Sequence, residues 1–170
     1  MKRTVHFLMA MLFFAAALPV AAKVEFPWNG NDASPAVNGV KLGDSEQKTL
    51  DKLGAPEGVL TAKDGDEILQ YKSGGLEITA DGKRVVAIKL TTPEAGSIDG
   101  IKVGDITRAV ILKWGLPLGG EGPTARFGTP NWTISVRTAD KESYIVEMTL
   151  ALNRAKPASE KAPLNVWQVH

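Results

Sequence analysis

The sequence predicts an α+β fold. Two tandem modules, each a short helix followed by an antiparallel hairpin, place their helices on antiparallel sheet after a cleaved signal peptide. Three observations predict it. Gly39-Val40-Lys41-Leu42-Gly43-Asp44 recurs as Gly100-Ile101-Lys102-Val103-Gly104-Asp105, in one register with Lys52-Leu53-Gly54-Ala55-Pro56 and Lys113-Trp114-Gly115-Leu116-Pro117. Helical apolar spacing fills the stretch between these motifs in both copies. Each helix is then followed by segments in which apolar and polar residues alternate, the signature of strands with one buried face.

Residues 1–22 read as a secretory leader. Lys2 and Arg3 open it, Phe7 to Leu18 carries no charge, and Pro19-Val20-Ala21-Ala22 supplies small residues before a cut after Ala22. The apolar run is short for a membrane span, which needs about 20 residues. Residues 23–38, rich in Pro, Gly, Asn and Asp, form an irregular lead-in containing Phe26 and Trp28.

The first module covers 39–91 and the second 100–152, with 92–99 as linker and 153–170 as a loose tail. Eight of the twenty positions from 39 to 58 are identical to their partners 61 residues on. Asp44 and Asp105 stand where N-caps belong, accepting from free backbone amides. Gln47 is placed to complete a capping box with Asp44. The helices run over about 45–53 and 106–114, with Leu50 and Leu53 in one apolar stripe and Ile106, Ala109, Val110 and Trp114 in the other. Gly54 and Gly115 occupy left-handed C-cap positions, and Pro56 and Pro117 prevent continuation.

In the first copy Glu67 to Tyr71 is a strand. Leu76, Ile78 and Ala80 then alternate with Glu77, Thr79 and Asp81, and Asp81-Gly82 turns the chain. Val86, Ile88 and Leu90 alternate on the return. In the second copy Ala125 to Phe127 is the first strand. Trp132, Ile134 and Val136 alternate with Thr133, Ser135 and Arg137. After a turn near Asp140, Tyr144, Val146, Met148, Leu150 and Leu152 line one face of a long strand.

Composition narrows the function. The chain has no cysteine, which excludes a disulfide framework, a thiolate zinc site, a Cys nucleophile and a lipidated Cys. Removing the leader takes Lys2 and Arg3 and no acid, so the formal +1 of the chain becomes −1. Such a surface has no electrostatic footprint for nucleic acid or an anionic membrane. His6 lies in the leader and His170 is the last residue, leaving no internal histidine for a triad or a metal cluster. Asp64-Gly65-Asp66-Glu67 is the densest acidic run, but it lacks the spacing of a calcium loop and reads as a solvated turn. No cofactor and no metal are expected.

The pattern Gly-apolar-Lys-apolar-Gly-Asp, short helix, Leu-Gly-x-Pro, Tyr-containing strand and hairpin resembles the SmpA/OmlA (BamE-like) module. Its tandem arrangement looks like the β-lactamase-inhibitor-protein architecture. The resemblance spans roughly 39–91 and 100–152 and implies helices packed on antiparallel sheet used as a non-catalytic binding surface. The chain departs from that family in lacking a lipidated cysteine and in showing one helix per copy rather than two.

The expected function is that of an exported, non-catalytic interaction protein of the bacterial envelope, periplasmic or secreted. It would act as an accessory factor or a protein inhibitor, with another envelope or secreted protein as partner. The candidate binding residues are Glu77, Thr79, Lys89, Thr133, Ser135 and Arg137, with Glu147 and Thr149, on the polar side of the strands. Trp28 and Trp167 are candidate anchors, since tryptophan is enriched at interface hot spots. The alternatives are a carboxylate-dependent envelope hydrolase, and a small-ligand binder at the junction near Thr92 to Asp99.

Overall fold

A computed structural model of the chain describes residues 33–139 and 144–154. Residues 1–32, with the expected leader and Trp28, the expected turn at Asp140, and residues 155–170, with Trp167 and His170, lie outside them. The elements run α1 (Glu46–Leu53), β1 (Gly58–Thr61), β2 (Glu67–Tyr71), β3 (Leu76–Ala80), β4 (Val85–Leu90), α2 (Thr107–Trp114), β5 (Gly119–Glu121), β6 (Thr124–Gly128), β7 (Trp132–Thr138) and β8 (Ile145–Leu152). Short 3-10 turns occupy Lys72–Gly74 and Pro93–Ala95.

These elements overturn the expectation of two helix-plus-hairpin modules. All eight strands belong to one antiparallel sheet, in the order β1-β2-β3-β4-β8-β7-β6-β5. Each half supplies four strands. The two additional ones, β1 and β5, are edge strands with no buried face, so they carry no alternation to read. The halves fuse where β4 meets β8. There Ile88 opposes Leu150, Leu90 opposes Met148, and Lys89 opposes Thr149 between them.

The matched sequence segments nevertheless make matched hydrogen bonds. The Val85 amide donates to the Asp44 carbonyl at 2.8 Å, and the Ile145 amide to that of Asp105 at 2.9 Å. The Glu57 amide reaches the Gln70 carbonyl at 2.8 Å, and the Leu118 amide that of Arg126 at 2.7 Å. Val37 and Val40 exchange both backbone bonds around Asn38-Gly39, and Ile98 and Ile101 do the same around Asp99-Gly100. Asn38 and Asp99 sit at φ 48° and 49°, as a two-residue hairpin turn requires.

One sheet face and the two helices enclose the core. Ile78, Ile88, Ile134 and Leu150 are fully buried in its centre. Helix α2 inserts Val110 and Trp114, whose ring meets Phe127 edge-on at 5.5 Å. Eight-residue helices do not persist alone, so this packing is what holds them.

The capping expectation is corrected. Ser45, not Asp44, caps α1, accepting from the Lys48 amide at 3.2 Å, and Gln47 bonds Asp51 instead of closing a box. Ile106 begins α2 with no side-chain cap. Asp44 and Asp105 instead accept from the amides of Lys41 and Lys102, at 3.0 and 2.8 Å, and so close the turns before the helices. Gly54 does end α1, but at φ 79°, ψ −170°, extended rather than left-handed helical. A Cβ at Gly54 would touch nothing within 4 Å. Gly54→Ala is therefore expected to cost only its backbone strain in this essentially glycine-only conformation, about 1–3 kcal/mol, read by urea unfolding.

Two bulges shift the expected burial. The register slips between Thr79 and Ala80 against β4 and between Arg137 and Thr138 against β8. Val85 and Ile145 thereby turn inward beside their expected inward neighbours, and Tyr144, expected inside, is exposed.

Candidate functional site

The helices cover one face of the sheet, so among the described residues alternation along each strand leaves the other face open. One row of paired residues crosses almost the whole sheet: Gln70, Glu77, Lys89, Thr149, Ser135 and Arg126. Gly58 and Gly119 terminate it at the two edges. Beside it, Thr79, Ala87, Ala151 and Thr133 form a second row of small side chains.

The charges on this face are paired across the seam between the halves. Lys89 Nζ lies 3.7 Å from Glu77 Oε2 and 3.4 Å from Glu147 Oε2. Arg137 donates to the same Glu147 oxygen at 3.2 Å, and Gln70 Nε2 donates to Glu77 Oε1 at 3.0 Å. Thr133 Oγ1 donates to Asn153 Oδ1 at 2.6 Å. All these ion pairs are partly solvated, so each stabilises by about 0–1 kcal/mol. They hold side-chain orientation more than they hold the fold. Lys89→Ala is accordingly expected to cost less than about 1 kcal/mol in chemical unfolding.

At the β5 edge the face dips into an open depression of about 460 Å³ lined by Leu118, Gly119, Gly120, Glu121, Arg126 and Thr133. The glycines keep its floor free of side chains. Among the described residues a single carboxylate, Glu121, lines it, with no second acid facing it as hydrolysis would need.

Six of the candidates, Glu77, Thr79, Lys89, Thr133, Ser135 and Arg137, share the open face, as do Glu147 and Thr149. Trp28 and Trp167 lie outside the described residues. Gln70 and Arg126 were missed. Both sit between inward-facing neighbours on segments read as strands, so the same alternation pointed to them.

The other charged clusters are structural. Asp66, in the acidic run, is buried and receives the Arg154 guanidinium at 2.5 Å. Among the described residues no group of three or more His, Cys, Asp or Glu gathers as a metal site. Among them, too, no helix is long and apolar enough to cross a membrane. The junction at Thr92 to Asp99 is packed: Ala95 and Ile98 are buried, and Trp114 Nε1 donates to Asp99 Oδ2 at 3.1 Å.

No family model matches the chain, and no curated protein matches it. Solved structures do. One is an extracellular protein containing an SCP domain from Bacillus anthracis, with a TM-score of 0.57 at 11% identity, covering 72% of this chain and 47% of that one. Another is a cysteine-rich secretory protein from Staphylococcus aureus, with a TM-score of 0.55 at 11% identity and the same coverages. The chain therefore spans about half the length of these structures. The likeness is one of fold, and this chain has no cysteine at all. It also corrects the resemblance to SmpA/OmlA and β-lactamase-inhibitor-protein repeats. The similar solved structures are SCP-containing and secretory proteins, and the architecture is one eight-stranded sheet. The shared Gly, Asp and Pro positions shape turns and helix ends, which many folds need, and they do not specify a family.

Proposed function

We propose that the chain is an exported, non-catalytic binding protein that takes a partner protein on the open face of its sheet. The observation that carries this reading is the continuity of that face. Polar side chains run across both halves, with the Glu77–Lys89–Glu147–Arg137 ion pairs spanning the seam. A broad polar floor suits another protein's surface better than a small ligand. Export agrees with the leader read at residues 1–22, and the two similar structures are of an extracellular and a secretory protein. The hydrolase reading gains no support. Glu77 and Glu147 stand in ion pairs with Lys89 and Arg137, and no second carboxylate among the described residues faces Glu121 in the depression. The junction reading gains none either, because that segment is filled.

The test uses a steric block that removes no existing contact. Ala151 lies in the middle of the small-residue row. Ala151→Arg is expected to abolish capture of the partner that the wild-type chain retains from envelope and secreted extract. Asp51→Arg, on the solvated face of α1, is expected to retain it. Equal capture by both variants would sink the assignment of the open face.

A further inference from the structure

The two halves are internal controls for each other. The outer side of α2 and the chain just after it expose Ile111, Leu112, Leu116 and Leu118, to 41%, 77%, 70% and 44%. The matched positions in the first half are Leu50, Asp51, Ala55 and Glu57. Leu50 is half-buried, and Glu57 is occupied with the amide and hydroxyl of Ser73. The backbone is the same in both places, down to the Gly54 and Gly115 amides that donate to Leu50 and Ile111. One half thus solvates this surface, and the other lines it with large aliphatic side chains. A contiguous exposed apolar patch marks a contact surface.

We propose that the segment Leu164–Val169 of this same chain docks on that surface. The segment carries Leu164, Val166, Trp167 and Val169, whereas the nine residues before it, 155–163, hold no large apolar side chain. The exit point of the chain sets the reach. The Asn153 amide donates to the Asn131 carbonyl at 2.9 Å, and Asn153 Nδ2 donates to the carbonyls of Thr129 and Pro130 at 2.9 and 3.0 Å. The chain therefore leaves β8 beside the turn joining β6 to β7. Phe127, just before that turn, packs on Trp114 at the end of α2. Two strand spacings, on the order of 10 Å, separate β8 from Phe127 on β6, and the Trp114 ring lies a further 5.5 Å from that of Phe127. Residues 155–163 extend to about 30 Å.

The pairing of features is specific to one half. After β4 the chain passes directly into Pro93–Ala95 and the buried Ile98 and Ile101, so the first half has no trailing segment to dock. The half with the apolar helix side is the half with the trailing segment. Ile111 and Leu112 lie on helix α2, on the helix side of the sheet, while Leu118 also borders the depression at the β5 edge. Disulfide trapping therefore varies only Leu112 and Leu116 on this surface, which keeps it separate from the test of the open face.

The absence of native cysteine makes disulfide trapping clean. In the full chain, Leu112→Cys with Val166→Cys is expected to oxidise to an intramolecular disulfide, because the bridge forms only when Cα atoms approach to within about 7 Å. The rate should exceed that of Asp51→Cys with Val166→Cys by about tenfold or more, as docking raises effective concentration. Adding Leu116→Glu to the first pair should slow it toward the second. Equal rates for the two pairs, or no bridge in either, would overturn the docking. A bridge that appears only as a covalent dimer and rises with protein concentration would also overturn it, by assigning the surface to a second copy.

Discussion

Trp132→Ala is expected to lower stability by about 3–5 kcal/mol, the cost of deleting a large aromatic from a closed core. Trp132 opens β7 at 1% exposure, among the largest fully buried side chains. It stands opposite Leu152, and its carbonyl accepts from the Thr129 amide at 2.9 Å. The backbone on both sides is thus pinned, so the site cannot collapse to fill the void, and the residual cavity adds to the lost transfer energy. A domain of this size has about 5–15 kcal/mol to lose. Urea unfolding should show an earlier midpoint with an unchanged slope. The exposed Leu60, on edge strand β1, provides the contrast: Leu60→Ala should stay within about 0.5 kcal/mol. A loss below about 1 kcal/mol for Trp132→Ala would mean that the β7 end of the sheet is not the closed core described.

The reach of sequence reasoning is clearest at particular residues. Helices ending at Gly54 and Gly115 were legible because punctuation by Gly and Pro is local. Strands β3, β4 and β7 were legible because burial on one face imposes alternation. What failed was whatever local pattern does not encode. Strands β1 and β5 pair through backbone alone, and Gly119-Gly120-Glu121 has no apolar residue to mark it. The joining of β4 to β8 links Ile88 to Leu150, a pairing that no window of sequence contains. That seam turns two expected modules into one sheet. The bulges at β4 and β8 insert one residue each and so carry Ile145 rather than Tyr144 into the core. Asn38-Gly39 and Asp99-Gly100 are the exception: each is a two-residue hairpin signal visible in the sequence, which the expected boundaries after residues 38 and 99 cut in two.

The candidate site divides along the same line. That Glu77, Lys89, Thr133 and Arg137 share one face follows from alternation within each strand. That Lys89 reaches Glu147 follows only from the seam. The open face is therefore a property of the joined sheet, and neither half holds it alone.

Asp44→Asn is expected to cost about 2–3 kcal/mol at neutral pH, the range for a hydrogen-bonded charge losing its partners. The carboxylate is 8% exposed and receives Lys48 Nζ at 2.6 Å, Lys52 Nζ at 2.9 Å and the Lys41 amide at 3.0 Å. Burial by itself raises this carboxyl, but the Lys48 and Lys52 ammonium groups and the Lys41 amide outweigh it and hold the acid well below the usual carboxylate range. Because the folded value is depressed, the unfolded chain binds the extra proton as pH falls through the ordinary aspartate value of about 3.9. The stability that Asp44 contributes is complete above about pH 5 and lost progressively below it. Wild type and Asp44→Asn should therefore differ most at neutral pH and converge in acid. The matched Asp105 closes the same turn, yet the matched lysine, Lys113, lies 3.7 Å from Asp99 instead. Asp105→Asn should cost less than about 1 kcal/mol, since among the described residues no ammonium group pairs with Asp105 as two do with Asp44. If the two asparagine variants proved equally destabilised at pH 7, the two lysines would not be what secures the first turn. If Asp44→Asn kept the full acid sensitivity of the wild type, that sensitivity would belong to another carboxylate.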